Sequence, residues 1–142
     1  MAGRPDDKHR NNVRIRVLIV EDEAIVAMDL KYRLRRMGYE VVACADTGED
    51  AIRCARDMHP NLVLMDIQLK GPIDGIQAAC QIRENIDIPV IFTTAQNDLA
   101  TERQIAKARP LFSMGFPSKP FSDRTLQEIM GAIAREYNRA RA

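Results

Sequence analysis

The sequence predicts an α/β fold, a five-stranded parallel sheet with helices on both faces. Three observations carry this. Short apolar runs recur along the chain, at Val17 to Val20, Val41 to Ala45, Leu62 to Met65 and Pro89 to Thr94. Runs without polar alternation read as strands buried on both sides, the habit of parallel sheets. Between the runs, apolar residues recur every three or four positions, as on amphipathic helices. Strand and helix alternate along the chain, which is how a sheet is built from βαβ steps. A length of 142 residues suits one domain with a proper core.

Residues 1–14 are polar and aperiodic, and a disordered tail is expected there. The domain is expected over residues 15–138, with 139–142 as a short tail. Val17 to Val20 form the first strand. From Glu23 a helical stripe follows, with Val26, Leu30, Leu34 and Met37 on one face. Gly38 stands where a helix is commonly closed by glycine. Val41 to Ala45 is the second strand. Thr47, with Asp50 three residues on, has the spacing of a capping box and opens a helix to about Met58. Pro60 punctuates the chain before the third strand, which ends at Asp66. The loop Gln68–Asp74 contains Gly71 and Pro72, and Asp74 is placed to cap a helix carrying Ile76, Ala79 and Cys80. Pro89 to Thr94, rich in β-branched residues, is the fourth strand. A helix with a poor apolar stripe is expected from about Asp98 to Ala108, then a weak fifth strand from Leu111 to Phe116. The last helix starts near Ser122, with Leu126, Ile129, Ile133 and Tyr137 on one face.

Composition narrows the function classes. The chain is 46% hydrophobic and 29% charged, as in ordinary globular proteins. No apolar run approaches the roughly 20 residues of a membrane span. The start, MAGRPDDKHRNNVRIR, lacks the apolar core of a secretory signal, so a cytoplasmic location is expected. Cys44, Cys54 and Cys80 are odd in number and lack metal-type spacing, so buried reduced thiols are expected. Residues 1–16 hold five basic and two acidic side chains, and residues 135–142 hold three and one, which leaves −4 on residues 17–134. A nucleic-acid binder more often concentrates positive charge on its folded body, so direct nucleic-acid binding is not expected.

The strand ends carry the chemistry. Open α/β sheets bind ligands outside the carboxyl ends of their strands. Strand one ends in Glu21-Asp22, strand three in Asp66 and strand four in Thr94, and Lys119 follows strand five. Asp66 alone reads as readily as a turn or capping aspartate. With Glu21 and Asp22 it becomes part of a like-charge cluster that needs a counter-charge. A hard divalent cation supplies one; Mg²⁺ takes one or two carboxylates and keeps several waters. Lys119 can reach phosphate oxygens, and Thr94 offers a hydroxyl donor. A carboxylate nucleophile, a metal, a lysine and a hydroxyl together make a phosphoryl-transfer site.

The motifs VLIVEDE, LVLMDIQLKGPIDGI, PVIFTTAQ and FPSKPF, in this order at these strand ends, resemble the receiver domain of bacterial two-component response regulators. The resemblance runs from about Arg16 to Tyr137. It implies the flavodoxin-like strand order 2-1-3-4-5. It also implies Asp66 as phosphoacceptor, Asp22 as direct metal carboxylate, Glu21 acting mainly through water, and the backbone carbonyl of Gln68 as a further Mg²⁺ ligand. Thr94 resembles the switch hydroxyl, Lys119 the phosphate-pairing lysine, and Phe116 the rotating aromatic of the family. Two stretches depart from the family pattern. Lys70 stands where many receivers have proline, in a slightly lengthened loop. The Thr94–Lys119 interval is also longer, with Pro110-Leu111-Phe112-Ser113-Met114 before the fifth strand.

The function implied is a phosphorylation-dependent switch that catalyses its own phosphorylation and dephosphorylation and is not a turnover enzyme. Its expected partners are a histidine kinase or histidine phosphotransfer protein and a downstream protein. The downstream protein would bind the face made by helix 4, strand 5 and helix 5. A dimer is allowed. A phosphorelay intermediate or phosphate sink differs only in where the phosphoryl group goes. A phosphatase of the haloacid dehalogenase type would need an aspartate two residues after the nucleophile, where Gln68 stands and donates no useful proton. A nucleotide-binding module lacks its glycine-rich loop after strand one.

Overall fold

The structure, a computed structural model, describes residues 14–93 and 122–141. Four strands, β1 (Arg16–Val20), β2 (Glu40–Ala45), β3 (Leu62–Asp66) and β4 (Val90–Thr93), pair in the order β2-β1-β3-β4. Every pairing is parallel, in keeping with the first four places of the expected order. Three helices connect them: α1 (Ala24–Arg36), α2 (Gly48–Met58) and α3 (Gly75–Asn85). The C-terminal helix spans Asp123–Arg141 and so continues to within one residue of the chain's end. The helix expected over Asp98–Ala108 and the strand expected over Leu111–Phe116 lie outside the described residues, as do residues 1–13.

Strand alternation divides the core in two. Val17, Ile19, Leu62 and Leu64 face α1 and the C-terminal helix, where Ala27, Leu30, Leu34, Leu126, Met130 and Ile133 meet them. Leu18, Val20, Val63 and Met65 face α2 and α3, against Ala51, Ala55, Ala78 and Ile82. The period-2 geometry of a strand sends neighbouring side chains to opposite faces, so a strand buried on both sides is apolar throughout. β3 is buried at every position. On the C-terminal helix the fully buried residues are Leu126, Met130 and Ile133, while Ile129 and Tyr137 are only half-buried. All four residues of the expected stripe meet this cluster, and Met130 joins them. Fully burying side chains of this size stabilises by about 1.5–3 kcal/mol each, enough to hold the helix on the sheet.

Helix ends follow their local chemistry. Gly38 has φ +95°, and α1 closes on it with Gly38 N–H donating to Arg35 O (3.0 Å) and Tyr39 N–H to Leu34 O (3.0 Å). These two bonds make a Schellman motif. Thr47 Oγ1 accepts from Asp50 N–H at 3.1 Å, satisfying one of the orphan donors at the start of α2. Asp74 and Gln77 form the full reciprocal capping box at the start of α3, with both bonds at 2.8 Å. α2 ends on His59, whose left-handed φ of 50° is unusual for a residue other than glycine. β2 is the outer strand of the described sheet and carries a register shift opposite Val17 and Leu18. Cys44 on it is exposed, against the expectation of a buried thiol, because this strand has a neighbour on one side only. Cys54 and Cys80 are half-buried and all three thiols are free.

At the amino edge of the sheet one residue joins three elements. Asn61 Oδ1 accepts from Arg16 N–H (2.8 Å), and Asn61 N–H donates to Arg16 O (2.8 Å). Its own carbonyl accepts from the Tyr137 hydroxyl of the C-terminal helix. Burial pushes the Tyr137 phenol up to about 12, with Asp87 adding to the rise and Arg83 opposing it. A phenol whose pKa rises on folding favours the folded state fully below its unfolded value of about 10. That stabilisation is lost as pH climbs from about 10 through 12. Denaturation curves should therefore show a stability loss across this interval, and Tyr137→Phe should remove that part of the pH dependence.

Candidate functional site

The register of the strands delivers the acidic residues to one place. Val20 pairs with Met65 across β1 and β3, so the residues that follow them, Glu21 and Asp66, leave the sheet side by side at its carboxyl edge. Glu21, Asp22 and Asp66 each offer a carboxylate oxygen, and these atoms lie within 4.8 Å of one another. Glu21 is 3% exposed and Asp66 4%, while Asp22 is half-buried. Among the described residues this is the one group of three or more such side chains placed to hold a metal ion.

Backbone donors orient two of the three. Gln68 N–H donates to Asp66 Oδ1 at 3.0 Å, and Glu23 N–H donates to Glu21 Oε2 at 3.1 Å. Glu21 thus lends one oxygen to the opening of α1, where negative charge suits the helix end. The side chain of Gln68 is exposed, while its backbone is tied back to Asp66. Three oxygen donors, two almost fully buried, form a hard anionic site. That donor set fits Mg²⁺, which prefers carboxylate, carbonyl and water oxygens. Asp66 lies beside Thr93 of β4, with Ile67 N–H donating to Thr93 O at 3.1 Å. Thr94, Phe116 and Lys119 lie outside the described residues, as does the Pro110–Met114 stretch.

Sequence reasoning missed how closely α3 approaches the site. Gly75 N–H donates to Ile67 O at 2.9 Å. A Cβ on Gly75 would stand 2.1 Å from Asp66 O and 2.9 Å from the carbonyl carbon. The signal was the glycine directly after the capping Asp74, a position where most side chains are tolerated in an isolated helix.

The fold and site together describe a parallel α/β domain with an acidic, metal-type cluster at the carboxyl ends of its first and third strands. The model of the response regulator receiver domain matches residues 17–131, and the chain belongs to that family. It is 38% identical over 128 residues to the transcriptional regulatory protein PdtaR of Mycobacterium tuberculosis, covering 89% of this chain and 58% of PdtaR. The chain thus spans little more than half the length of that relative. Among solved structures, the signal receiver domain of a modulated diguanylate cyclase from Desulfovibrio desulfuricans G20 superposes with a TM-score of 0.78 at 33% identity, over 88% of this chain and 97% of that one. The receiver domain of the Erythrobacter litoralis response regulator PhyR gives 0.74 at 33%, over 87% and 92%. The flavodoxin-like receiver fold expected from the motifs is therefore the fold of this protein. No helix among the described residues is long and apolar enough to cross a membrane.

Gly75→Ala separates local propensity from tertiary contact. Alanine in a helix is favoured over glycine by about 1 kcal/mol. Overpacking against a backbone that cannot yield costs roughly 1–3 kcal/mol. With a backbone oxygen at 2.1 Å and two backbone carbons at 2.9 Å the contact outweighs the propensity, so the variant should be the less stable one. Urea denaturation with an unchanged slope and a lowered midpoint is the expected result.

Proposed function

We propose that this chain is a phosphorylation-dependent signalling switch in which Asp66 accepts a phosphoryl group from a histidine kinase or histidine phosphotransfer protein. The observation that carries the reading is the cluster of Glu21, Asp22 and nearly buried Asp66 at the carboxyl edge of the sheet, in a chain of the receiver family. A carboxylate oxygen of Asp66 attacks phosphorus in line. The bond to the donor imidazole nitrogen breaks, its electron pair returns to the ring, and an acyl phosphate forms. Bound Mg²⁺ supplies charge neutralisation on the transferring group. Asp22 and the carbonyl of Gln68 are the residues to hold it directly. Glu21 already shares Oε2 with Glu23 N–H, which suits a contact through water.

Gln68 N–H fixes the Asp66 carboxylate by its Oδ1, which sets the direction in which the group faces the donor. Lys119 pairs with a phosphoryl oxygen, and Thr94 moves toward it. Phe116 then turns into the space Thr94 leaves. Output passes through the face formed by helix 4, strand 5 and helix 5, as changed affinity for a protein partner. Reversing a two-state population from 1:99 requires about 5.5 kcal/mol of bias; a smaller bias gives a graded response. The setting is the cytoplasm, where histidine kinases present their phosphoryl groups.

Incubation with acetyl phosphate and Mg²⁺, followed by intact-protein mass measurement, tests the acceptor. Asp66→Asn should leave the fold intact and abolish the added phosphoryl mass. Undiminished uptake at another residue would refute the assignment. Calorimetric titration with Mg²⁺ ranks the ligands: Asp22→Ala, which removes a direct ligand, should weaken binding by more than the roughly 10–100-fold seen when groups that only support metal ligands are removed. Glu21→Ala should weaken it less. Equal losses would contradict a water-mediated role for Glu21.

A further inference from the structure

A ring of contacts on the β2 side of the acidic cluster joins elements that the phosphoryl chemistry itself does not use. Glu21 N–H donates to Ala45 O at 2.9 Å, which ties the end of β1 to the end of β2. Two residues later Thr47 caps α2, and α2 opens with buried Gly48. A Cβ on Gly48 would stand 2.5 Å from Ile73 Cγ1, 2.8 Å from Ile73 Cδ1 and 3.3 Å from Ala78 Cβ. The glycine therefore leaves a notch that the Ile73 side chain fills. Ile73 is two residues before Gly75, which presses on the carbonyl of Asp66 and donates to Ile67 O. Gln68, at the other end of the same loop, donates to Asp66 Oδ1. The ring closes through Asp66 back to Glu21 in the carboxylate cluster.

The loop between β3 and α3 needs such an anchor. Gly71 in it has φ +105°, a conformation that side chains rarely adopt. Lys70, Gly71 and Pro72 are exposed. Leu69 and Ile73 are its apolar residues, and both pack on the cluster between the sheet, α2 and α3. Of these, Ile73 is the one seated against a glycine. Its position limits where Gly75 and the loop backbone can lie, and hence where Asp66 and the Gln68 carbonyl are held.

We propose that Ile73, seated in the Gly48 notch, is a positioning residue for Asp66 and the Gln68 carbonyl, so that the start of α2 sets the geometry of the metal and phosphoacceptor site. This rests on the function proposed above. Ile73 touches neither metal nor phosphoryl group and acts through the loop. Residues that directly support metal ligands typically change affinity by about 10–100-fold. One step further out, a loss of about three- to tenfold is expected.

The test is a steric exchange. Ile73→Ala empties the notch, and Gly48→Ala pushes Ile73 out of it. Each should weaken Mg²⁺ binding by calorimetry and increase amide exchange at Gln68 in metal-free protein. In Gly48→Ala/Ile73→Ala the new methyl enters the space that Ile73 leaves, and Mg²⁺ affinity should return to within about twofold of the parent, as expected for directly coupled sites. Ile73→Val serves as a milder variant should either single change prevent folding, and a smaller loss of the same sign is expected. Single variants that lower the melting temperature but keep parental Mg²⁺ affinity and Gln68 exchange would overturn the proposal. So would a double variant no better than the worse single one. Failure of the parent to take phosphate at Asp66 would instead refute the function, since the metal and exchange measurements use unphosphorylated protein.

Discussion

Carboxylate crowding at the ends of β1 and β3 is the constraint on which the rest of this structure turns. Two unit charges within 4.8 Å of one another repel by roughly 3–4 kcal/mol at an effective dielectric near 20. Glu21 and Asp66 are almost wholly removed from solvent, so water does little to screen them. The sheet imposes this arrangement because Val20 and Met65 are paired in register and strongly buried on both sides. Sliding β1 by one residue would swap its side chains between the two packed faces and draw Arg16 or Glu21 into the buried run. The core thus fixes a cluster that charge alone would disperse, and the backbone donors of Gln68 and Glu23 each engage one oxygen of it. A site held under repulsion in this way favours a divalent cation.

Holding the cluster is a problem of backbone placement more than of side-chain pairing. The contacts that define the loop after Asp66 are backbone donors and close approaches to glycine, at Gly75 and Gly48. Protein interiors are packed as densely as organic crystals, and such contacts transmit displacement. A shift at the start of α2 therefore reaches Asp66 through Ile73 and Gly75. Surface ion pairs such as Arg56–Asp57, with both side chains largely exposed, have no comparable leverage, since exposed pairs contribute about 0–1 kcal/mol.

Much of this was legible in the residues. Glu21, Asp22 and Asp66 were readable as a site because apolar runs locate strand ends, and ends of parallel strands share an edge. Gly38 and Asp74 were readable because helix termini carry their own local chemistry. What escaped was set by partners distant in sequence. Gly48 and Gly75 look like ordinary helix-start residues until Ile73 and the Asp66 carbonyl are found against them. Met130, left out of the expected stripe, is fully buried with Leu126 and Ile133, while Ile129 and Tyr137 pack against the same cluster only partly buried. Cys44 is exposed because its strand is outermost, a matter of strand order that periodicity does not encode. Thr94, Phe116 and Lys119, read from their motifs, lie outside the described residues.

The two edges of the sheet are held by different means, and this separates stability from chemistry. At the amino edge, Asn61 engages β1 through both its side chain and its N–H, and its carbonyl takes the Tyr137 hydroxyl. Each of these partners of Asn61 is a neutral hydrogen-bonding group, and such bonds each contribute about 0.5–1.5 kcal/mol net. At the carboxyl edge three carboxylates crowd together, two of them accept a backbone N–H, and Gly75 lies close against the backbone of Asp66. A fold assembled this way tolerates charge changes at its working edge, because the core and the Asn61 junction do not depend on them. It tolerates added volume there poorly, because the space beside Asp66 is already taken by Gly75.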